Sequence, residues 1–142
     1  MKISSTAFDN GQPIPAKYVD KINPPLLIDN VPTKSKSLAL IVRDPDAPSG
    51  NFTHWIVWDI PPDTREMPED TLPPGCIEGK NSASVSYWVK PAPPSGTHRY
   101  FFDLYAIDTI LNLPPTTTRD ELEVAIANHV IDQAEYMGTF SA

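Results

Sequence analysis

Asp44, Asp46, His54, His98 and Tyr100 are the side chains in this sequence whose types and spacing could do chemistry. They fall in two stretches, Asp44-Pro45-Asp46-Ala47-Pro48 running on to His54-Trp55, and Pro93-Pro94-Ser95-Gly96-Thr97-His98-Arg99-Tyr100. Bare carboxylates repel an anion. Beside imidazoles they act differently: each can accept one ring N–H, favour the charged ring and leave the other N–H to donate outward, while Tyr100 adds a neutral donor. The same groups could instead hold a divalent metal, or pair a histidine with Ser49 or Ser95 as a nucleophile. No His-x-x-x-His or Cys-x-x-Cys spacing supports a metal, and no Gly-x-Ser-x-Gly elbow supports hydrolysis. The residues therefore favour a non-catalytic anion pocket with neither metal nor cofactor.

Two apolar runs flank the first stretch, Ser37 to Arg43 and Ile56 to Ile60, and both read as strands buried on two faces. Paired as an antiparallel hairpin, they put Asp44 and His54 at one rim of a sheet. Asp44 and Asp46 are two apart in a segment stiffened by Pro45 and Pro48, so their carboxylates are expected to lean the same way. Thr97 to Asp108 is the clearest strand. Period two sets His98, Tyr100, Phe102, Leu104 and Ala106 on one face, and Arg99, Phe101, Asp103, Tyr105 and Ile107 on the other. If it runs beside and parallel to the strand from His54, both histidines meet the acids at one rim, and Arg99 is left for a structural ion pair.

Elsewhere, Leu26 and Ile28 read as an irregular arm over a sheet edge, and Ser84 to Val89 as a short strand or bend. Thr118 and Glu121 form a capping box. Leu122, Ile126, His129, Val130, Gln133 and Met137 then recur at helical spacing, which predicts a helix over 119–137 closed by Gly138, with His129 a core histidine on its apolar face. Trp55, Trp58 and Trp88 are expected in the core or the pocket wall.

At 142 residues the chain reads as one domain, 1–142. A net charge of −7 argues against nucleic acid or an anionic membrane as a partner held by a general field, so any anion must be held locally. No stretch reaches membrane-spanning length. Cys76 is the one cysteine, which excludes an internal disulfide and fits a reducing, cytoplasmic setting. The 17 prolines fall in doublets between apolar runs and so mark turns and covering loops of a mainly β chain.

These motifs, together with Leu104-Tyr105-Ala106-Ile107-Asp108, closely resemble those of the phosphatidylethanolamine-binding protein family, from about Pro24 onward. The resemblance implies a mainly β fold, a large antiparallel sheet packed on a smaller one, with a small anion pocket at one rim. Its lining would comprise Asp44, Asp46, Pro48, His54, Pro93, Pro94, His98 and Tyr100. It further implies a phosphate-bearing ligand such as a phospholipid head group, and leaves open inhibition of a protein kinase or protease, or a homodimer. The short Ser49 to Thr53 connection resembles small bacterial-type members, although those usually carry tryptophan near position 28 and glycine before the proline-rich turn, where this chain has Ile28 and Lys90.

Overall fold

The computed structural model describes residues 1–19 and 22–142. In chain order its strands and α-helix are β1 (Lys2–Ser4), β2 (Leu26–Asp29), β3 (Ser37–Ala47), β4 (Gly50–Ile60), β5 (Glu66–Met67), β6 (Ile77–Glu78), β7 (Thr97–Ile107), α1 (Arg119–Ile126) and β8 (Val130–Ser141), with a short 3-10 turn at Ala16–Val19. Five strands form an antiparallel sheet in the order β6-β4-β3-β7-β8, and three form a small one in the order β1-β2-β5. This is the mainly β, two-sheet architecture expected.

β3 occupies the middle because its residues can be dry on both faces: Leu38 to Val42 are at most 1% exposed. Leu38, Leu40 and Val42 enter the core shared with the small sheet, where Leu26 and Ile28 are fully buried. Ala39 and Ile41 point the other way, under Leu122 and Ile126 of α1. Leu26 and Ile28 thus belong to a strand whose side chains fill the core, and not to an irregular arm. Trp55 and Trp88 pack edge to face in the inner core, and Trp58 lies in the outer one.

The predicted helix over 119–137 is wrong in its second half. The capping box forms as expected and α1 runs from Arg119 to Ile126, but Val130 onward is β8, paired with β7 from Ile107↔Val130 to Thr97↔Ser141. Eleven paired positions against a long, half-open strand outweigh the local helical spacing. His129 is therefore no core histidine: its half-exposed ring pairs with Asp108 at 2.7 Å. Gly138 lies inside β8, where a Cβ would come within 2.5 Å of Ile14 and 2.6 Å of Phe8. Ser84 to Val89 takes the bend and not the strand of the two forms expected.

The free edge of β8 is strapped by the N-terminal arm. Gly11 N–H donates to Met137 O, Ile14 N–H to Thr139 O, and Thr139 N–H to Gln12 O. That pairing covers the stretch of the edge around Met137 to Thr139 that would otherwise be open to other chains.

Candidate functional site

β4 and β7 both run antiparallel to β3, hence parallel to each other, but β3 lies between them. The sequence reading placed β7 directly beside β4. The intervening strand matters, because it puts Asp44 between the two histidines. The hairpin closes later than expected, at Ala47↔Gly50, where Gly50 takes φ 99° at the turn. Pro45 therefore lies within β3, in an irregular segment beyond Arg43↔Phe101, the last pairing with β7, where no ladder donor is demanded of it.

His54 enters the site through a β-bulge. Val42 faces Trp55 and Arg43 faces Thr53, so His54 is the extra residue on β4. An extra residue breaks alternation and lets two consecutive side chains turn inward. Accordingly Trp55 packs on Trp88, while the His54 ring meets Tyr100 edge-on at 5.1 Å and Phe52 at 4.8 Å.

Each imidazole is held by its Nδ1. His98 Nδ1–H donates to Asp44 Oδ2 at 2.7 Å, in a pair whose side chains are 9% and 4% exposed, and Asp44 Oδ1 accepts Asp46 N–H at 2.8 Å. His54 Nδ1–H donates to the Val89 carbonyl at 2.8 Å. No hydrogen bond within the described residues involves either Nε2. Burial pushes His54 below the ordinary histidine value, an effect the Val89 bond and the Asp44 charge oppose. The Tyr100 hydroxyl is buried beside the Asp44 carboxylate without a hydrogen bond of ordinary geometry, and its pKa is raised by burial and then by the charge of Asp44.

Val89 is positioned by Asn81, which is 5% exposed. Its Nδ2 donates to His54 O at 3.2 Å and Tyr87 O at 2.7 Å, while its Oδ1 accepts from Ala83 N–H at 3.0 Å and Val85 N–H at 3.3 Å. Val89 N–H donates back to His54 O. One amide thus stitches the loop after β6 onto the bulged strand.

These groups surround a cavity of about 370 Å³, lined by Asp44, Pro48, His54, Pro93, Pro94, His98 and Tyr100. Seven of the eight residues expected at the site line it. Asp46 does not: its carboxylate is gripped by Arg99 through Nε at 2.9 Å and a second guanidinium nitrogen at 2.8 Å, and this holds its pKa down at about 2. The two acids serve different partners, so the expectation of one carboxylate per imidazole fails for Asp46, while Arg99 makes its ion pair as expected. Sequence reasoning missed Phe52, Val89 and Asn81, and saw in Lys90 only a departure from a pattern, although its cationic chain is exposed in the lining. Phe52 was findable, two residues before His54.

A larger recess, about 570 Å³, opens beside Thr53 on the other side of β4, but its Arg119 already lies 2.9 Å from Glu123. Among the described residues, no group of three or more His, Cys, Asp or Glu could hold a metal ion. No helix among them is long and apolar enough to cross a membrane.

Comparison with known proteins agrees with this fold. The family model described as phosphatidylethanolamine-binding protein matches residues 4–141. The chain belongs to the phosphatidylethanolamine-binding protein family. Among its relatives in that family, the UPF0098 protein of Methanothermobacter thermautotrophicus is 41% identical, with 99% of this chain and 98% of the relative covered. The UPF0098 protein PH1269 of Pyrococcus horikoshii is 45% identical over 99% of this chain and 76% of its own length. A crystal structure of a phosphatidylethanolamine-binding protein homolog, CT736 of Chlamydia trachomatis, superposes with a TM-score of 0.95 at 38% identity, covering 99% of this chain and 97% of that one. The E. coli family member YBCL shares the fold at 24% identity, with a TM-score of 0.93 and 99% and 98% coverage.

Proposed function

We propose that this chain is a non-catalytic binding protein whose rim cavity holds a small phosphate-like anion. One observation carries the reading: two imidazoles, each locked at Nδ1 by a protein acceptor, share a cavity with a buried, unpartnered tyrosine hydroxyl. A buried donor without a partner costs about 1 to 3 kcal/mol, which a bound acceptor recovers. Lys90 adds a cation at the mouth, against a net charge of −7 that would otherwise repel an anion. The family's name, that of a binder of a phosphate-bearing lipid, accords with this chemistry.

The test is titration with inorganic phosphate at pH 6, followed by calorimetry and by the imidazole NMR signals of His54 and His98. Both signals should move with one dissociation constant, and His98→Ala should weaken binding about tenfold or more. Saturable binding that leaves both rings unmoved would place the anion elsewhere and end this reading.

A further inference from the structure

Asn10 and Gly11 form a pair whose members can react with each other. Glycine has no side chain, so its amide nitrogen approaches the preceding carboxamide with the least steric hindrance. The Gly11 nitrogen gives its proton to hydroxide and attacks Asn10 Cγ. The Cγ–Nδ2 bond breaks, and Nδ2 leaves as ammonia with a proton from water, which returns the hydroxide. Water then opens the five-membered imide at either carbonyl. One opening gives an aspartyl residue. The other gives an isoaspartyl residue, whose backbone runs through the former side chain and is one methylene longer.

The fold holds both reacting groups at one residue of β8. Gly11 N–H, the nucleophile, donates to Met137 O at 2.7 Å, and Asn10 Oδ1, on the carbon to be attacked, accepts Met137 N–H at 2.9 Å. Gln12 N–H closes the turn on Asp9 O at 3.0 Å, with Gly11 at φ 82°. Attack needs the Gly11 nitrogen free of the proton it shares with Met137 and the carboxamide swung off Met137 onto that nitrogen. Asn10 and Gly11 are nevertheless exposed, so water and hydroxide reach them as soon as the clamp parts. The rest of the arm stays in place, because Phe8 and Ile14 on either side are buried against Gly138.

We propose that Asn10-Gly11 is a modification site whose reaction Met137 holds off and local opening of the turn releases. The isoaspartyl product does not return to the clamp. With one more methylene in the chain, Gly11 N–H and the new carboxylate no longer span the two peptide groups of Met137 together. Each opening that reacts this way leaves a permanently unpaired stretch on the β8 edge.

The experiment incubates the full chain at pH 8, native and unfolded in urea, beside a peptide with the sequence of residues 7–13. Peptide mapping and enzymatic methylation of isoaspartyl carboxylates follow the product. The two hydrogen bonds to Met137 should make the native reaction about thirtyfold slower than the peptide's, and urea should restore the peptide's rate. In the isolated isoaspartyl fraction, NMR-detected hydrogen exchange at Met137 N–H should be about tenfold faster or more. Asn10→Asp, with the same added charge on a normal backbone, should keep the protection of wild type. A native rate equal to the peptide's, or an isoaspartyl fraction in which Met137 stays as protected as in wild type, overturns the proposal. Loss of that protection in Asn10→Asp overturns it too, since charge and not backbone length would then open the clamp.

Discussion

Replacing Asn81 should damage the site from outside the cavity. In Asn81→Ala two buried donations are lost, to His54 O and Tyr87 O, together with two acceptances from Ala83 and Val85. Ala83 is exposed and Val85 half-buried, so their N–H groups can turn to water. His54 O keeps its bond from Val89 N–H, and Tyr87 O is left without its partner. At about 1 kcal/mol for each net bond, the loss comes to about 2 to 3 kcal/mol. With a urea slope of about 2 kcal/mol per molar, the unfolding midpoint should fall by about 1 M. Asn81→Asp sharpens the point, since it keeps the acceptor for the turn and removes only the donors. If Asn81 positions His54, that variant should blur the His54 Nδ1–H tautomer signal in ¹⁵N NMR and weaken phosphate by about tenfold. A variant that is destabilised yet keeps the His54 signal and phosphate affinity of wild type would show that the stitch only supports the loop, and the positioning argument would fail.

Asp44→Asn should keep its amide oxygen on Asp46 N–H and turn its NH₂ toward His98, forcing that ring into the Nε2–H tautomer; ring NMR reads this directly, and an unchanged tautomer refutes it. Gly138→Ala should cost about 1 to 3 kcal/mol in urea unfolding, because its Cβ would press on Ile14 and Phe8 and the arm cannot easily retreat from an edge it is bonded to; a neutral result would mean the strap is loose. Burial pushes the Cys76 thiol up to about 11, so at pH 8 it should alkylate about a hundredfold more slowly than a free peptide cysteine and reach the free rate in urea. A fast native reaction would contradict that burial.

The rim was legible in the sequence wherever alternation held. His98, Tyr100, Phe102, Leu104 and Ala106 share a buried face as period two requires, and Asp44 ends a run that could only be central. His54 obeyed no such rule. Strict alternation from Trp55 would have turned it to the outer face with Ile56, and only the bulge, set by pairing with β3, turns it inward. The helix error has an equally specific cause. Gln133 and Met137 stand four apart, a spacing that keeps one face on a helix and on a strand alike. The inward positions of β8 are Asp132, Ala134, Tyr136, Gly138 and Phe140, too mixed in polarity and size to announce a strand. Asp46 was misassigned because two carboxylates two residues apart look equivalent until Arg99 claims one.

The strap across β8 has a consequence for the growing chain. Met137 N–H bonds to Asn10, 127 residues away, so the arm is made first and waits for the whole sheet before it has a strand to bind. At about 5 to 20 residues per second, the ribosome needs about 6 to 25 seconds to pass from one to the other. Until β8 follows, β7, which ends at Ile107, lacks its partner on that edge, with Phe102 and Leu104 on its buried face. A second copy of the chain carries the same strand and the same arm. Exchange of these segments between neighbours is thus the misassembly that this topology invites, and dilution of nascent chains is the condition that suppresses it.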